Sequence, residues 1–168
     1  LFHDYAAKMP IIDYHCHISP QEIAEDHHFR SITEVWLGGD HYKWRIIRAN
    51  GTPEEKVTGE TSTDLEKFVE YAKALSRSIG NPLYHWSHLE LQRYFGITEP
   101  LTEKNAEDIF NRCNAKLQEK CMGVQGLIEQ SNVKVICTTD DPADDLKWHQ
   151  KLRDEKTCSA KVYPAMRP

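Results

Sequence analysis

The chain has 168 residues, a formal charge of −5 with histidine neutral, 28% charged side chains and 39% hydrophobic side chains. This composition is typical of a soluble folded domain and excludes a disordered chain. The weak negative balance gives no reason to expect nucleic acid or an anionic membrane as a partner, and no apolar stretch approaches the roughly 18 residues that a membrane span requires.

The five cysteines form no CxxC pair, which indicates a reducing compartment rather than a disulfide framework. Residues 1–9 lack the apolar run of a signal peptide, so we expect a cytoplasmic protein. The chain begins without Met and stops directly after a strand-like run. A natural domain seldom ends at such a point, and we therefore expect a truncated chain.

The first predicted element is a strand over residues 10–17, which are rich in β-forming residues and are followed by Ser19-Pro20. A mainly helical region is predicted to follow over residues 19–131. Its helices are predicted from capping boxes, apolar spacing and glycine stops. They run over residues 64–79, from 82 onward, over 103–122 and over 124–130. The helix that starts at 82 is predicted to carry Leu83, Trp86 and Leu89 on one face.

Strand character returns at residues 133–139, and a helix over 143–153 and a third strand over 160–164 follow. Short strands joined by helices predict a parallel sheet and an α/β fold. Three strands form an open fragment, because a complete (β/α)8 barrel needs about 250 residues. We divide the chain into residues 1–18, the helical region 19–131 and residues 132–168, together one incomplete domain.

His15 and His17 lie two positions apart on the first predicted strand, so their imidazoles should project from one face and can converge on one metal ion. They come at the carboxyl end of the strand, where barrel enzymes build their active sites. Asp13 shares that face and can orient a ligand. About half an HxH pair is expected by chance in this composition, so the position strengthens the pattern more than the spacing does.

Residues 38–45 concentrate functional residue types between glycines and charges. His41 and Tyr42 can transfer protons, and Arg45 can bind an anion. The alternative is the start of an amphipathic helix, with Trp44 in the core and the charges in solvent. From the residues alone, this second interpretation is favoured.

Three further groups are weaker candidates. His85 and His88 have the spacing of a helical metal pair but are more typical of structural residues. Asp140 and Asp141 follow the second strand and would face the site, although acidic residues are also common in turns before proline. Arg167 follows the third strand and can grip a carboxylate with two hydrogen bonds.

Several motifs in this order resemble the amino-terminal part of uronate (glucuronate) isomerase, a family of the amidohydrolase superfamily. They are residues 9–17 (MPIIDYHCH), 39–45 (GDHYKWR), 81–91 (NPLYHWSHLEL), 137–142 (CTTDDP) and 161–168 (KVYPAMRP). The resemblance implies a distorted (β/α)8 TIM barrel with a large helical insertion after the first strand. It also implies the interconversion of D-glucuronate with D-fructuronate and of D-galacturonate with D-tagaturonate.

The resemblance further implies roles for individual residues. His15 and His17 would be metal ligands, His41 and Tyr42 would act in catalysis, and Arg167, with Arg45, would bind the substrate. The cofactor would be a divalent metal, expected to be zinc, and the family's aspartate base and third ligand would lie beyond residue 168. The partner would be a sugar acid, with neither nucleic acid nor membrane, and a homo-oligomer stays open.

Two other functions compete with this interpretation. A metal-dependent hydrolase of the amidohydrolase type would use an ion-activated water on an ester or amide, but it has no need of the proton-relay and carboxylate-binding residues in 38–45. A non-catalytic helical module would use its histidines only for packing.

Overall fold

The computed structural model describes residues 1–167, and Pro168, the last residue of the predicted segment 132–168, lies outside the described residues. The chain forms two compact units. The sheet unit comprises Leu1–His28 and the chain from Lys120 onward, and the helical unit comprises Phe29–Glu119. Residues 19–28 and 120–131, grouped with the helical region in the sequence-based division, thus lie in the sheet unit.

The elements alternate between short strands and helices only in the sheet unit. In chain order they are a 3-10 helix Ala6–Lys8, β1 Ile11–Asp13, α1 Pro20–Ala24, α2 Ile32–Leu37, α3 His41–Ala49, a 3-10 helix Glu54–Lys56, α4 Asp64–Ser76, α5 Pro82–Phe95, α6 Ala106–Leu117, a 3-10 helix Lys120–Met122, α7 Val124–Gln130, β2 Val133–Asp140, α8 Lys147–Glu155 and β3 Lys161–Met166.

The sheet unit is built on a parallel sheet with the strand order β1-β2-β3. One face of β2 is buried through Ile136, Thr138 and Asp140. Helix α7 contacts β2, α8 contacts β3, and α1 contacts both α7 and α8. The α/β class and the parallel sheet predicted from the sequence are confirmed for the described residues.

Strand β1 is shorter than predicted. It ends at Asp13 because the Asp13 carboxylate accepts the His15 backbone N–H at 3.3 Å, which closes a bend over residues 14 and 15. Beyond the bend the chain returns to β2: the Cys16 N–H donates to the Cys137 carbonyl at 3.0 Å, and the Thr139 hydroxyl donates to the Cys16 carbonyl at 2.6 Å.

Helix α8 begins at Lys147, four residues later than predicted. Asp141 closes a turn by accepting the Ala143 N–H at 2.8 Å and the Asp144 N–H at 3.0 Å. Leu146 then takes a positive φ of 55°, which a helix cannot include. The acidic run before the helix therefore forms a turn instead of a first helical turn.

The helical unit is organised around α4, which contacts α2, α3, α5 and α6. The predicted capping box is confirmed: the Thr63 hydroxyl accepts the Glu66 N–H, and the Glu66 carboxylate accepts the Thr63 N–H. The aromatic side chains of Trp36 and Phe68 stack at 5.8 Å between ring centres. Apolar burial around this central helix stabilises the unit.

The structure corrects two details predicted for this unit. The helix predicted to run to residue 79 ends at Ser76, and Ile79 is 80% exposed. Trp86 is 57% exposed, and Leu89 is also exposed. The buried stripe of α5 is instead Leu83, Ser87 and Leu91, and the polar Ser87 takes its central position because the Tyr71 hydroxyl lies 2.7 Å from its own.

None of the helices in residues 1–167 combines the length and the apolar character that a bilayer crossing requires.

Candidate active-site residues

His15 and His17 follow β1, which ends at Asp13, so neither residue belongs to the strand itself. Both side chains are exposed, and the intervening Cys16 is half-buried. Burial raises the pKa of the Cys16 thiol, which keeps that side chain protonated and apolar in character. Exposed and half-buried side chains thus alternate over residues 15–17 as they do in a strand, because Cys16 is still hydrogen-bonded to β2.

The two imidazole rings have centres 5.0 Å apart and planes at 89°. With Zn–N bonds of about 2.0–2.1 Å, the centre of a ligating imidazole lies roughly 3.2 Å from the ion, so two rings at a tetrahedral angle have centres about 5 Å apart. The ring spacing therefore fits two ligands of one ion. Among residues 1–167, no group of three or more His, Cys, Asp or Glu side chains is arranged to hold a metal.

Asp13, predicted to orient a metal ligand, acts on the backbone. Its carboxylate accepts the N–H of His15 at 3.3 Å. It therefore fixes the path of the chain into the His-x-His segment, and it forms neither a hydrogen bond nor an ion pair with the imidazole rings of His15 and His17.

Arg167 directly follows β3, and its side chain is exposed. Its backbone N–H donates to the Asp140 carbonyl at 3.0 Å, so β2 and β3 still pair at this point. An exposed guanidinium just beyond the carboxyl end of a parallel strand is suited to binding an anionic ligand.

The prediction that Asp140 faces a site at the strand ends is wrong. The side chain is 6% exposed and lies on the helix-facing side of β2. The Thr138 hydroxyl donates to its carboxylate at 2.8 Å, and the Nε2 atom of His149 lies 3.6 Å from it. Asp141, by contrast, is exposed and belongs to the turn before α8.

In the helical unit, His41 and Tyr42 are the first two residues of α3, and both side chains are exposed. The Arg45 guanidinium lies 5.5 Å from the centre of the Tyr42 ring, a cation–π distance. The sequence placed a proton-transfer pair and a cation in this segment, and the structure arranges them along one short helix.

Helix α3 buries Lys43 and Ile47, and it does not bury Trp44. Lys43 is 8% exposed, and its ammonium group lies 2.8 Å from the Asp40 carboxylate. Burial by itself raises the pKa of Asp40, but the hydrogen bonds from the Lys43 side chain and backbone outweigh it, so the pKa lies below its ordinary value. Trp44 is half-buried and donates its indole N–H to the Leu37 carbonyl at 2.7 Å.

His85 and His88 do not form a metal pair. The His88 Nδ1 atom lies 2.6 Å from the Tyr84 carbonyl, and its Nε2 atom accepts the Leu101 N–H at 2.9 Å. Both ring nitrogens are therefore occupied, and His88 is structural. His85 is exposed on the opposite side of the helix from the buried stripe.

Comparison with known proteins places these residues in one family. The profile of the family described as glucuronate isomerase matches residues 1–168. The chain belongs to the glucuronate isomerase family. The resemblance carried by the motifs around His15, His41, His85 and Asp140 is thus confirmed.

Curated members of the glucuronate isomerase family match over the whole chain. The chain is 64% identical to the uronate isomerase of Lachnospira eligens and 57% identical to that of Clostridium acetobutylicum, in each case over 168 residues. Those residues are 100% of this chain and 36% of either relative. The chain therefore spans about a third of the length of the curated glucuronate isomerase relatives.

Solved structures of the family share the fold. The crystal structure of uronate isomerase from Thermotoga maritima superimposes with a TM-score of 0.90 at 37% identity, covering 96% of this chain and 35% of that one. The glucuronate isomerase of Caulobacter crescentus gives a TM-score of 0.89 at 27% identity, with the same coverage.

Two features of this glucuronate isomerase family member escaped the sequence reasoning. The buried Lys43 was expected in solvent, and only the aspartate three residues earlier, a helix-capping residue type, hinted at a partner. The cluster of Thr138, Asp140 and His149 joins a strand to a helix eleven residues away. No local spacing rule predicts such a contact.

Proposed function

We propose that the chain is the amino-terminal part of an aldose–ketose isomerase that interconverts D-glucuronate with D-fructuronate and D-galacturonate with D-tagaturonate. The observation that carries the proposal is the pair of exposed imidazoles, His15 and His17, with ring centres 5.0 Å apart in a chain that matches the glucuronate isomerase family throughout.

The proposed scaffold is a distorted (β/α)8 barrel of the amidohydrolase superfamily, with the helical unit as an insertion. The parallel order β1-β2-β3 supports it, since barrels are built from parallel strands. So does the exposure of Ile11, Ile12 and Tyr163, which are 49%, 65% and 49% exposed. Apolar strand residues with this exposure suit a sheet that further strands would cover.

His15 and His17 are the residues that would hold a divalent metal, with zinc the expected ion. When bound, such an ion polarises substrate oxygens and stabilises negative charge that develops on them. Imidazole nitrogens suit zinc, and the exposure of both rings leaves the remaining coordination positions for other ligands.

Arg167 is proposed to bind the substrate carboxylate, with Arg45 in a supporting role. A guanidinium offers two parallel N–H donors that match the two oxygens of a carboxylate. Because the net charge of the chain is negative, an anionic sugar needs such specific partners. The placement of Arg167 at the carboxyl end of β3 supports this role.

His41 and Tyr42 are proposed to move protons. Isomerisation transfers a proton between C2 and C1 of the open-chain sugar and requires oxygen protons to shift in concert. In this proposal the Tyr42 hydroxyl relays the proton of a substrate oxygen, and His41 assists. The Arg45 guanidinium lies 5.5 Å from the Tyr42 ring centre, a cation–π distance that supports placing the two side chains in one group.

Turnover of the four uronates by the full-length enzyme tests the proposal. We expect isomerisation of glucuronate and galacturonate, no hydrolysis of a panel of esters, and a large loss of activity in His15→Ala and His17→Ala. His85→Ala is the matched control, since His85 is exposed and lies outside the proposed site. Ester hydrolysis without isomerisation would establish the competing hydrolase, and full activity in both histidine variants would overturn the metal assignment.

The isolated 168-residue chain provides a second arm of the experiment. It should bind zinc weakly and should not isomerise glucuronate, because two histidines are fewer ligands than a catalytic zinc site uses. Isomerase activity in this purified chain would contradict the proposal that the base lies in another part of the enzyme.

A further inference from the structure

The end of β3 is bonded to Asp140 of β2 through a buried side chain as well as through the backbone. One carboxylate oxygen of Asp140 accepts the Ala165 N–H at 3.1 Å, and the Asp140 carbonyl accepts the Arg167 N–H at 3.0 Å. The last residues of β3 therefore depend on the position of Asp140 through both its backbone and its side chain. Arg167 is the next residue after the strand.

The Asp140 carboxylate is in turn held in place by Thr138 and His149. The Thr138 oxygen lies 2.8 Å from the Asp140 carboxylate, 2.8 Å from the His149 Nε2 atom and 3.2 Å from the Tyr163 carbonyl. A carboxylate only accepts hydrogen bonds, so the Thr138 hydroxyl donates to Asp140, and its oxygen accepts a hydrogen bond from the His149 Nε2–H. The hydroxyl thereby links α8 to the sheet.

This cluster is buried and lies outside the proposed chemistry. Thr138 is fully buried, and Asp140 and His149 are 6% and 7% exposed. Burying three polar side chains costs free energy, which the hydrogen bonds among them offset. Thr138 and Asp140 point to the helices, whereas Thr139, between them, bonds to the Cys16 carbonyl in the His-x-His segment.

The geometry points to Asp140 as a positioning residue for Arg167, with Thr138 and His149 holding its carboxylate in place. The inference rests on the proposed function, in which Arg167 binds the substrate carboxylate. It adds that substrate affinity depends on a buried network that touches neither substrate nor metal. A shift of the Asp140 carboxylate would release the Ala165 N–H and move the backbone that carries the guanidinium.

The test is a double-mutant cycle between Thr138→Val and Arg167→Met in the full-length enzyme, with KM and kcat for glucuronate as readouts. Valine keeps the shape of threonine and removes its hydroxyl. Thr138→Val should raise KM about tenfold and leave kcat within roughly twofold, because one hydrogen-bonded network contact is lost. In the Arg167→Met background the same change should alter KM by less than about twofold.

Two variants of the same strand serve as controls. Thr138→Ser retains the hydroxyl and should restore the original KM. Thr139→Val removes the neighbouring hydroxyl, which contacts the Cys16 carbonyl instead of Asp140. Its effect should be the same with and without Arg167. If Thr138→Val does not fold, as judged by its urea midpoint, His149→Asn removes the other side of the network and should show the same coupling to Arg167.

The outcomes separate this inference from the proposed function. An unchanged KM in Arg167→Met would overturn the proposed role of Arg167, and the inference with it. A raised KM in Arg167→Met combined with an unchanged KM in Thr138→Val would overturn the inference alone. Equal effects of Thr138→Val in both backgrounds would show a purely structural cluster and would also overturn it.

Discussion

Asp40 caps α3 and pairs with Lys43 at the same time. One carboxylate oxygen accepts the backbone N–H groups of Tyr42 and Lys43 at 2.8 and 3.1 Å, and the other lies 2.8 Å from the Lys43 ammonium group. Because Lys43 is buried, this arrangement ties the first turn of the helix to the interior of the helical unit. His41 and Tyr42 occupy that turn.

Replacing Lys43 should therefore destabilise the unit. Lys43→Met leaves the Asp40 charge without its ammonium partner, and we expect a loss of about 2–3 kcal/mol in the free energy of unfolding, measured with urea. Arg48→Met is a matched control that removes one partner of an exposed ion pair with Glu54. It should cost much less. An equal loss of unfolding free energy in the two variants would show that the burial of Lys43 does not strengthen its pairing with Asp40.

The pH dependence of stability should reveal Glu90. Burial raises the pKa of this carboxyl group, and Lys43 and the Trp36 side chain only partly offset the shift. The folded state therefore binds the proton more tightly than the unfolded state. The stabilising contribution is complete below the unfolded pKa and is lost as the pH rises through the folded pKa.

Glu90→Gln should thus raise the free energy of unfolding at pH 7, and the gain should vanish below about pH 4. Urea unfolding at both pH values measures the difference. The exposed Glu107→Gln controls for the loss of one negative charge. A destabilised variant at pH 7 would show that the carboxylate contributes attraction to Lys43 in excess of its desolvation cost.

His88 should contribute to stability, and His85 should not. His88→Ala removes the acceptor of the Leu101 N–H and the partner of the Tyr84 carbonyl. The expected loss is about 1–2 kcal/mol in the free energy of unfolding. His85→Ala, three residues earlier and exposed, should change it by less than about 0.5 kcal/mol. Zinc titration of either variant should give the same binding as the original chain, and weaker binding would contradict a structural role.

The buried pair of Tyr71 and Ser87 should show strong coupling. Their hydroxyl oxygens are 2.7 Å apart, and both residues have no exposed surface. Ser87→Ala should cost about 1–2 kcal/mol because it leaves the phenol without this partner. Tyr71→Phe combined with Ser87→Ala should cost less than the sum of the single changes, as a urea-based double-mutant cycle can measure. Strict additivity would show that the hydrogen bond contributes nothing.

Local sequence signals predicted the parts of the fold that local interactions determine. The capping box at Thr63, the start of α5 at Pro82 and the positions of β2 and β3 in the sequence all follow from short-range rules. One error occurs where side chains bond across the chain, and another comes from a bend closed by a local contact. Ser87 is buried because of Tyr71, and β1 stops because Asp13 bends back onto His15.

The candidate site was predictable to the extent that it consists of neighbouring residues. His15 and His17 are two positions apart, and their ring centres lie 5.0 Å from each other, whereas the convergence of their nitrogens on one ion stays a prediction. The orientation of Asp140 was not predictable, because it is set by Thr138 and by His149 on α8. Roles in catalysis and substrate binding stay proposals based on chemical type.

Because the chain bends at Asp13 and then bonds to β2, the spacing of His15 and His17 depends on β2 as well as on β1. The Cys16 N–H donates to Cys137, and the Cys16 carbonyl accepts from Thr139. These two bonds to β2 therefore position the residue between the two imidazoles. Under the proposed metal role of His15 and His17, variation in metal affinity within the family should track residues on β2 as well as the two histidines. In that case, a search for tighter or looser zinc binding that varies only the two histidines would leave the contribution of β2 untested.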